Sequence, residues 1–314
     1  MTYTSTQFLD SIKRLIVAPS NQRLYTDADY LAIGDRKMLD TIVPLIDSLN
    51  GDYFVYKELQ TIYSDQSEYF LPTRAMARKL RDVKIQNSGG IRFDFPKIAI
   101  EREQIYQVSG IPFGFYFMGD KFVLVPTPTG ASSGADTGLK IQYWYFLSPG
   151  TLIAVSDAAV VSGISGNDVT VTSLPADIVT GSIIDFIQGV SGNSSIGLDK
   201  TIANIAGNTL TFMTGDVPTT LALGDYISLS GTSPVLQIPD TAIPYFVTLT
   251  CMDVLQGLSD FEGYDRLSAI AEKQEKGVKQ LLEPRIEGEA TKIVNDFGLI
   301  RRTWRGNWRG NYPY

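Results

Sequence analysis

The last fourteen residues of this 314-residue chain are Arg301-Arg302-Thr303-Trp304-Arg305-Gly306-Asn307-Trp308-Arg309-Gly310-Asn311-Tyr312-Pro313-Tyr314. They hold four arginines, two of the three tryptophans and two tyrosines, with no acid among them. Their chemistry is recognition. Arg, Trp and Tyr dominate binding hot spots, while Gly, Asn and Pro oppose regular structure. The Trp-Arg-Gly-Asn unit occurs twice in succession. A frayed terminus is the plain alternative, and the rarity of tryptophan in permanently disordered segments weighs against it. Arg301, Arg302, Trp304, Arg305, Trp308, Arg309, Tyr312 and Tyr314 are therefore the candidate partner-binding residues.

Bond-making chemistry is poorly provided for. Histidine is absent, which removes the commonest general base and every Ser-His or Cys-His nucleophile system. The single cysteine, Cys251, sits in an apolar run and reads as a buried, inert thiol. It permits no intrachain disulfide and no thiolate metal cluster. Paired carboxylates such as Glu101/Glu103 and Glu287/Glu289 leave carboxylate-only glycoside hydrolysis formally open, but charged neighbours on a solvated surface explain them. No phosphate-binding Gly-rich loop and no nucleophile-elbow motif is present. The expectation is a protein that is not an enzyme, with no cofactor.

Composition sets the class. A chain 44% hydrophobic and 19% charged is ordered, and its net charge of −7 argues against broad nucleic-acid binding. Besides the tail, only Arg74, Arg78, Lys79, Arg81 and Lys84 form a locally basic stretch. No stretch reads as a cleavable signal or a membrane span, so synthesis in the cytoplasm and no membrane partner are expected.

Residues 151–238 stand apart, with seven Asp, no Glu, no Arg and a single Lys for a formal charge of −6. Their Gly, Ser, Thr and Val content predicts short strands and tight turns. The segment also repeats itself. Val161 to Val171 matches Ile202 to Phe212, and Gly181 to Phe186 matches Gly224 to Leu229, the offset growing from 41 to 43 residues. Each unit has a Gly-Asn turn between alternating apolar residues. Two such units predict a small barrel or sandwich with a pseudo-twofold axis. Its aspartates lack the Asp-x-Asp-x-Asp spacing of a calcium loop.

The flanks are mixed. Phe8, Leu9, Ile12, Leu15 and Ile16 predict an amphipathic helix over about 6–17. A second begins after Thr26 or Asp35, with Pro44 as a kink, and a third starts at Leu71-Pro72-Thr73 with Arg74, Arg78 and Arg81 on one solvated face. Strands follow at 90–98, in a hairpin at 113–126 turning at Gly119-Asp120, and at 139–145, where Trp144 reads as core. Residues 241–282 read as one helical stretch, with Glu272/Lys276 as an i,i+4 pair. The fold class is α+β: a helical body of N- and C-terminal helices with β-hairpins, an inserted all-β domain, and an extended C-terminal arm. The divisions are 1–150 for the N-terminal part of the body, 151–238 for the β-domain, 239–285 for the helices completing the body, and 286–314 for the arm.

Certain motifs point to a family. A helical N-terminus precedes Tyr69-Phe70-Leu71-Pro72, then Phe115-Tyr116-Phe117-Met118-Gly119-Asp120-Lys121-Phe122-Val123-Leu124-Val125-Pro126-Thr127-Pro128, then the Tyr-rich strand at 139–145. Together with Gly224-Asp225-Tyr226-Ile227-Ser228-Leu229 and its continuation to Pro239, and Pro284-Arg285-Ile286-Glu287-Gly288, this order resembles the head–tail connectors, or neck adaptors, of tailed bacteriophages. The resemblance implies a virion structural protein in the neck between capsid and tail. Such a protein forms a ring of identical copies, typically a dodecamer, beneath the portal protein. It docks there largely through its C-terminal arm and meets tail or nozzle proteins below. Viral DNA passes through without sequence-specific binding. The inserted β-domain departs from a small adaptor. Two other classes compete: a tail or fibre component with a carbohydrate-binding β-domain, and a carboxylate-dependent glycan hydrolase.

Overall fold

The first helix starts where the backbone is given partners. Thr4 accepts a hydrogen bond from the Gln7 N–H, and the Gln7 side chain returns one from the Thr4 N–H at 3.0 Å. This closes α1 (Ser5–Leu15), whose Phe8, Leu9 and Ile12 are buried as the apolar stripe predicts. Thr26 and Asp29 cap α2 (Asp27–Lys37) in the same way. A π-helical turn, Met38–Ile42, then leads into α3 (Val43–Leu49). Pro44 lies just after this turn in a continuous helical backbone, and the wider π turn accommodates its ring and its missing N–H. The computed structural model describes residues 2–17, 24–100, 109–130, 132–190, 192 and 194–283.

The C-terminal helical stretch is broken where one helix was expected. Helix α4 (Ile243–Gly257) stops because Ser259 takes a left-handed conformation with φ of 60°, and α5 (Phe261–Leu282) begins afresh. Asp260 caps the new start by accepting from the Gly263 N–H at 2.9 Å. The i,i+4 ion pair on α5 is Glu275–Lys279 at 2.6 Å. One core holds residues of α1, α2, α3, α4 and α5. At its centre the Phe8 and Phe246 rings stack 4.8 Å apart and nearly parallel. Gly34 makes room for them, since a Cβ there would meet the Phe8 ring at 2.8 Å.

Seven strands follow α3: β1 (Val55–Tyr63), β2 (Glu68–Phe70), β3 (Ala75–Gln86), β4 (Arg92–Asp94), β5 (Gly114–Met118), β6 (Lys121–Val125) and β7 (Asp136–Leu147). They form an antiparallel sheet in the order β1-β7-β3-β4 and a second, three-stranded sheet in the order β2-β6-β5. Phe115 and Phe122 of the small sheet and Tyr143 and Tyr145 of the large one share an apolar core. The hairpin at Gly119-Asp120 forms with Met118 opposite Lys121. The strand expected over 90–98 shrinks to β4.

Strand β3 corrects the third predicted helix. Ala77 and Arg78 take left-handed backbone angles of 47° and 56°, and the register slips between Ala75 and Leu80 and again before Asp82. Extra residues in a strand spoil its two-residue alternation. The spacing of Arg74, Arg78 and Arg81 therefore imitates a helix face.

After β7 come β8 (Thr151–Leu152), β9 (Ala159–Ser165), β10 (Asp168–Val171), β11 (Ile183–Ile187), β12 (Ser195–Ala206), β13 (Thr209–Phe212), β14 (Tyr226–Leu229) and β15 (Thr232–Ser233). Short β8 and β15 pair in parallel. The other six close into a barrel in the cyclic order β10-β13-β12-β11-β14-β9. Exchanging the two sequence repeats maps this order onto itself. The equivalent residues Val169 and Leu210 face each other across one pair of strands, and Asp185 and Ser228 across another. The pseudo-twofold axis therefore passes through both sites. Gly166 and Gly207 hold the two matching hairpin turns at φ of 62° and 61°, which only glycine adopts without strain. Side chains including Val169, Phe186, Leu210 and Phe212 fill the barrel.

Candidate docking surfaces

All eight residues singled out for partner binding, Arg301, Arg302, Trp304, Arg305, Trp308, Arg309, Tyr312 and Tyr314, lie outside the described residues. What the structure does show is the helix from which that segment continues. Leu267, Ala271 and Val278 anchor α5 in the helical core, while Phe261, Ile270 and Leu281 are exposed along it.

The basic stretch of β3 is largely engaged within the molecule. Arg78 donates to the Leu71 and Pro72 carbonyls, Arg81 pairs with Asp52, and Lys79 reaches Asp47 at 3.7 Å. Arg74 goes further and reaches the outer wall of the barrel. Its guanidinium lies 2.6 Å from the Asp185 carboxylate and 3.9 Å from Asp199. Asp185, on the pseudo-twofold axis, also accepts from the Asp199 N–H at 2.9 Å and the Gly231 N–H at 3.0 Å. Its side chain is 1% exposed. One residue thus ties the four-stranded sheet to the barrel, a role that sequence spacing does not reveal because the two partners are 111 residues apart.

A second tie joins the helices to the start of the barrel segment. The Leu152 N–H donates to Asp35 of α2 at 2.7 Å. Burial pushes the Asp35 carboxyl up to about 6, with that hydrogen bond opposing the shift. The folded protein therefore binds this proton more tightly than the unfolded chain, whose aspartate titrates near about 4. Stability from this group is fully present below pH ~4 and declines as pH rises towards 6. Asp35→Asn keeps an acceptor for Leu152 without the charge. It should raise stability by about 1 kcal/mol at pH 8 and have no advantage at pH 4, as read from urea unfolding at both pH values.

Between β1 and the barrel runs a polar cleft of about 480 Å³, lined by Tyr56, Glu58, Asp199, Lys200 and Asp216 among others. Glu58 retains exposed surface, yet loss of water around its carboxyl raises its pKa, opposed by a hydrogen bond from the Tyr145 hydroxyl at 3.0 Å. Lys200 is held by Asp216 at 2.8 Å. Such a cleft can accept a proton at Glu58 and hydrogen-bond a polar ligand. Among the described residues no group of three or more His, Cys, Asp or Glu side chains is placed to hold a metal ion. Cys251 is buried, and burial pushes its thiol up to about 12, so the thiolate is scarce at neutral pH. No helix of the described residues is long and apolar enough to cross a membrane.

Trp144 is the residue whose expected place is wrong. It lies on the outer face of the four-stranded sheet, opposite the core side chains Tyr143 and Tyr145, and is half-buried. Lys84 and Arg92 sit over its ring at 5.9 and 5.8 Å. A strand residue faces the core or solvent according to its parity, and Trp144 has the parity of Gln142, not of Tyr143.

The fold defines a mixed α+β protein with a small six-stranded barrel. No protein-family model matches the chain, and no curated protein matches it.

Proposed function

We propose that this chain is a head-to-tail adaptor subunit of a tailed bacteriophage, a structural protein that acts by docking. In this reading, helices from both ends of the chain form the body, the barrel is an insertion, and the segment after α5 is the docking arm. The arm meets the portal through Arg301, Arg302, Trp304, Arg305, Trp308, Arg309, Tyr312 and Tyr314, and neighbouring copies complete a ring between capsid and tail. The carrying observation is that α1 and α5 share one core, from which the chain runs on into a basic, aromatic segment. Buried tryptophans and charge-paired arginines are the usual anchors of such contacts.

The test mixes the portal ring encoded by the same genome with full-length protein and with a version cut before Leu299. Mass photometry should show a stoichiometric complex with the full-length protein alone. No complex with either version would sink the proposal and favour a tail or fibre component whose barrel binds carbohydrate.

A further inference from the structure

The outer face of the four-stranded sheet carries an unsatisfied requirement. Gln142 is fully buried within it, yet neither oxygen nor nitrogen of its amide has a partner. The Gln86 side-chain oxygen is also buried and unpaired, and Gln86 is the diagonal neighbour of Gln142, since Gln86 opposes Lys140 and Lys84 opposes Gln142. These two residues hold three of the five such atoms found among the described residues. A buried polar atom without a partner costs about 1–3 kcal/mol, so two adjacent ones call for an explanation.

The neighbours of these buried amides on the sheet face are cationic and exposed. Lys57, Arg92 and Lys140 are exposed with no carboxylate in ion-pair range among the described residues, and Leu59, opposite Gln142, is 45% exposed. Lys84 stands loosely between Asp82 at 3.7 Å and Asp94 at 3.8 Å. Four cations against two carboxylates make the face positive on a chain whose net charge is −7.

The complementary surface is on the same molecule. Of the barrel segment's seven aspartates, Asp185, Asp199 and Asp216 are in ion pairs, and Asp225 accepts from the Gly189 and Ala222 N–H groups. Asp157, Asp168 and Asp177 are exposed and bear no ion pair among the described residues. Asp157 precedes β9 and Asp177 follows β10; because those strands are antiparallel hairpin partners, both lie at the same end of the barrel.

We infer that the outer sheet face of one copy receives the acidic barrel of a second copy. Lys57 and Lys140 meet the Asp157/Asp177 end, and, as the side chains that cover them are displaced by the contact, the Gln142 and Gln86 amides gain main-chain partners from its turns. The two surfaces differ, so the contact is head-to-tail and generates a ring when the rotation closes. Closure into a ring rests on the adaptor reading, whereas the pairwise contact does not. A nucleic-acid duplex is the poorer occupant, because its dense phosphate charge meets only a small positive face on an acidic protein.

Sedimentation velocity of the full-length protein over a concentration series at low ionic strength tests the contact with no portal present, so its result is independent of the portal experiment. The wild type should self-associate. K57E/K140E and D157K/D177K should each weaken association at least tenfold, and one chain carrying all four substitutions should recover it. Gln142→Leu should raise the melting temperature of the monomer and weaken association. All the charged substitutions are at exposed positions, and circular dichroism confirms that the variants fold. A wild type that stays monomeric throughout, either pair variant associating normally, or a dissociated four-substitution chain would overturn the inference. So would association unchanged in Gln142→Leu, or a labelled DNA duplex that binds the wild type but not K57E/K140E in place of self-association.

Discussion

Arg74→Ala should lower stability by about 3–5 kcal/mol, the usual result of stranding a buried charge. The Asp185 carboxylate is 1% exposed and would keep only the Asp199 and Gly231 N–H groups as donors. Two neutral donors do not replace a guanidinium at 2.6 Å. In a chain of this size the loss corresponds to a melting temperature lower by about 5–8 °C. Arg74→Lys should recover only part, because the compact ammonium of lysine is more strongly hydrated and costs more to bury than a guanidinium. The double variant Arg74→Met with Asp185→Asn should recover part of the loss, since it removes both charges but keeps an acceptor for only one of the two N–H groups, which bond different carboxylate oxygens. Thermal and urea melts of the four proteins decide the matter. A single-variant loss below about 1 kcal/mol would place the pair with solvent-screened surface bridges, and the tie between sheet and barrel would have to lie elsewhere.

Phe246→Ala should cost about as much, roughly 3–5 kcal/mol, for a different reason. The ring is fully buried and stacks on Phe8, so its removal opens a cavity at the meeting point of α1 and α4. Gly34 packs against the Phe8 ring from α2, which leaves little freedom for that ring to collapse into the space. The loss should appear in the unfolding of the helical core. Phe246→Leu, which refills most of the volume, should lose less than half as much. If the alanine variant loses no more than the leucine variant, the cavity costs nothing beyond the ring stack that both variants remove. The helices would then be held by the rest of their core.

The two β-units were readable because their information is local. A Gly-Asn turn between alternating apolar residues specifies a hairpin within about ten residues, and repetition specifies a pair of them. The same holds for α1, whose cap and stripe lie within one short segment. Strand β3 failed for an equally physical reason: left-handed Ala77 and Arg78 displace the alternation, and a displaced period of two resembles a helix. The break at Ser259 was missed because serine carries no strong signal for a left-handed angle. Trp144 was misplaced because a tryptophan's size suggests the core, while its side of the sheet is set by register with β1 and β3. Of the docking residues read from the sequence, none falls within the described structure. The candidate surfaces that do, the polar cleft and the outer sheet face, could not be read beforehand.

By itself, then, the sequence determined the absence of histidine chemistry, the acidic β-segment with its internal repeat, the α+β class and the basic, aromatic end. Each is a matter of composition or short-range spacing. Three further facts emerge from the folded chain: the repeats close into one barrel about an axis through Asp185 and Ser228, Arg74 crosses from the sheet to reach it, and Gln142 and Gln86 lie together beneath a cationic face. Those facts depend on strand register and on contacts between residues far apart in the chain. Packing, not local preference, selects them.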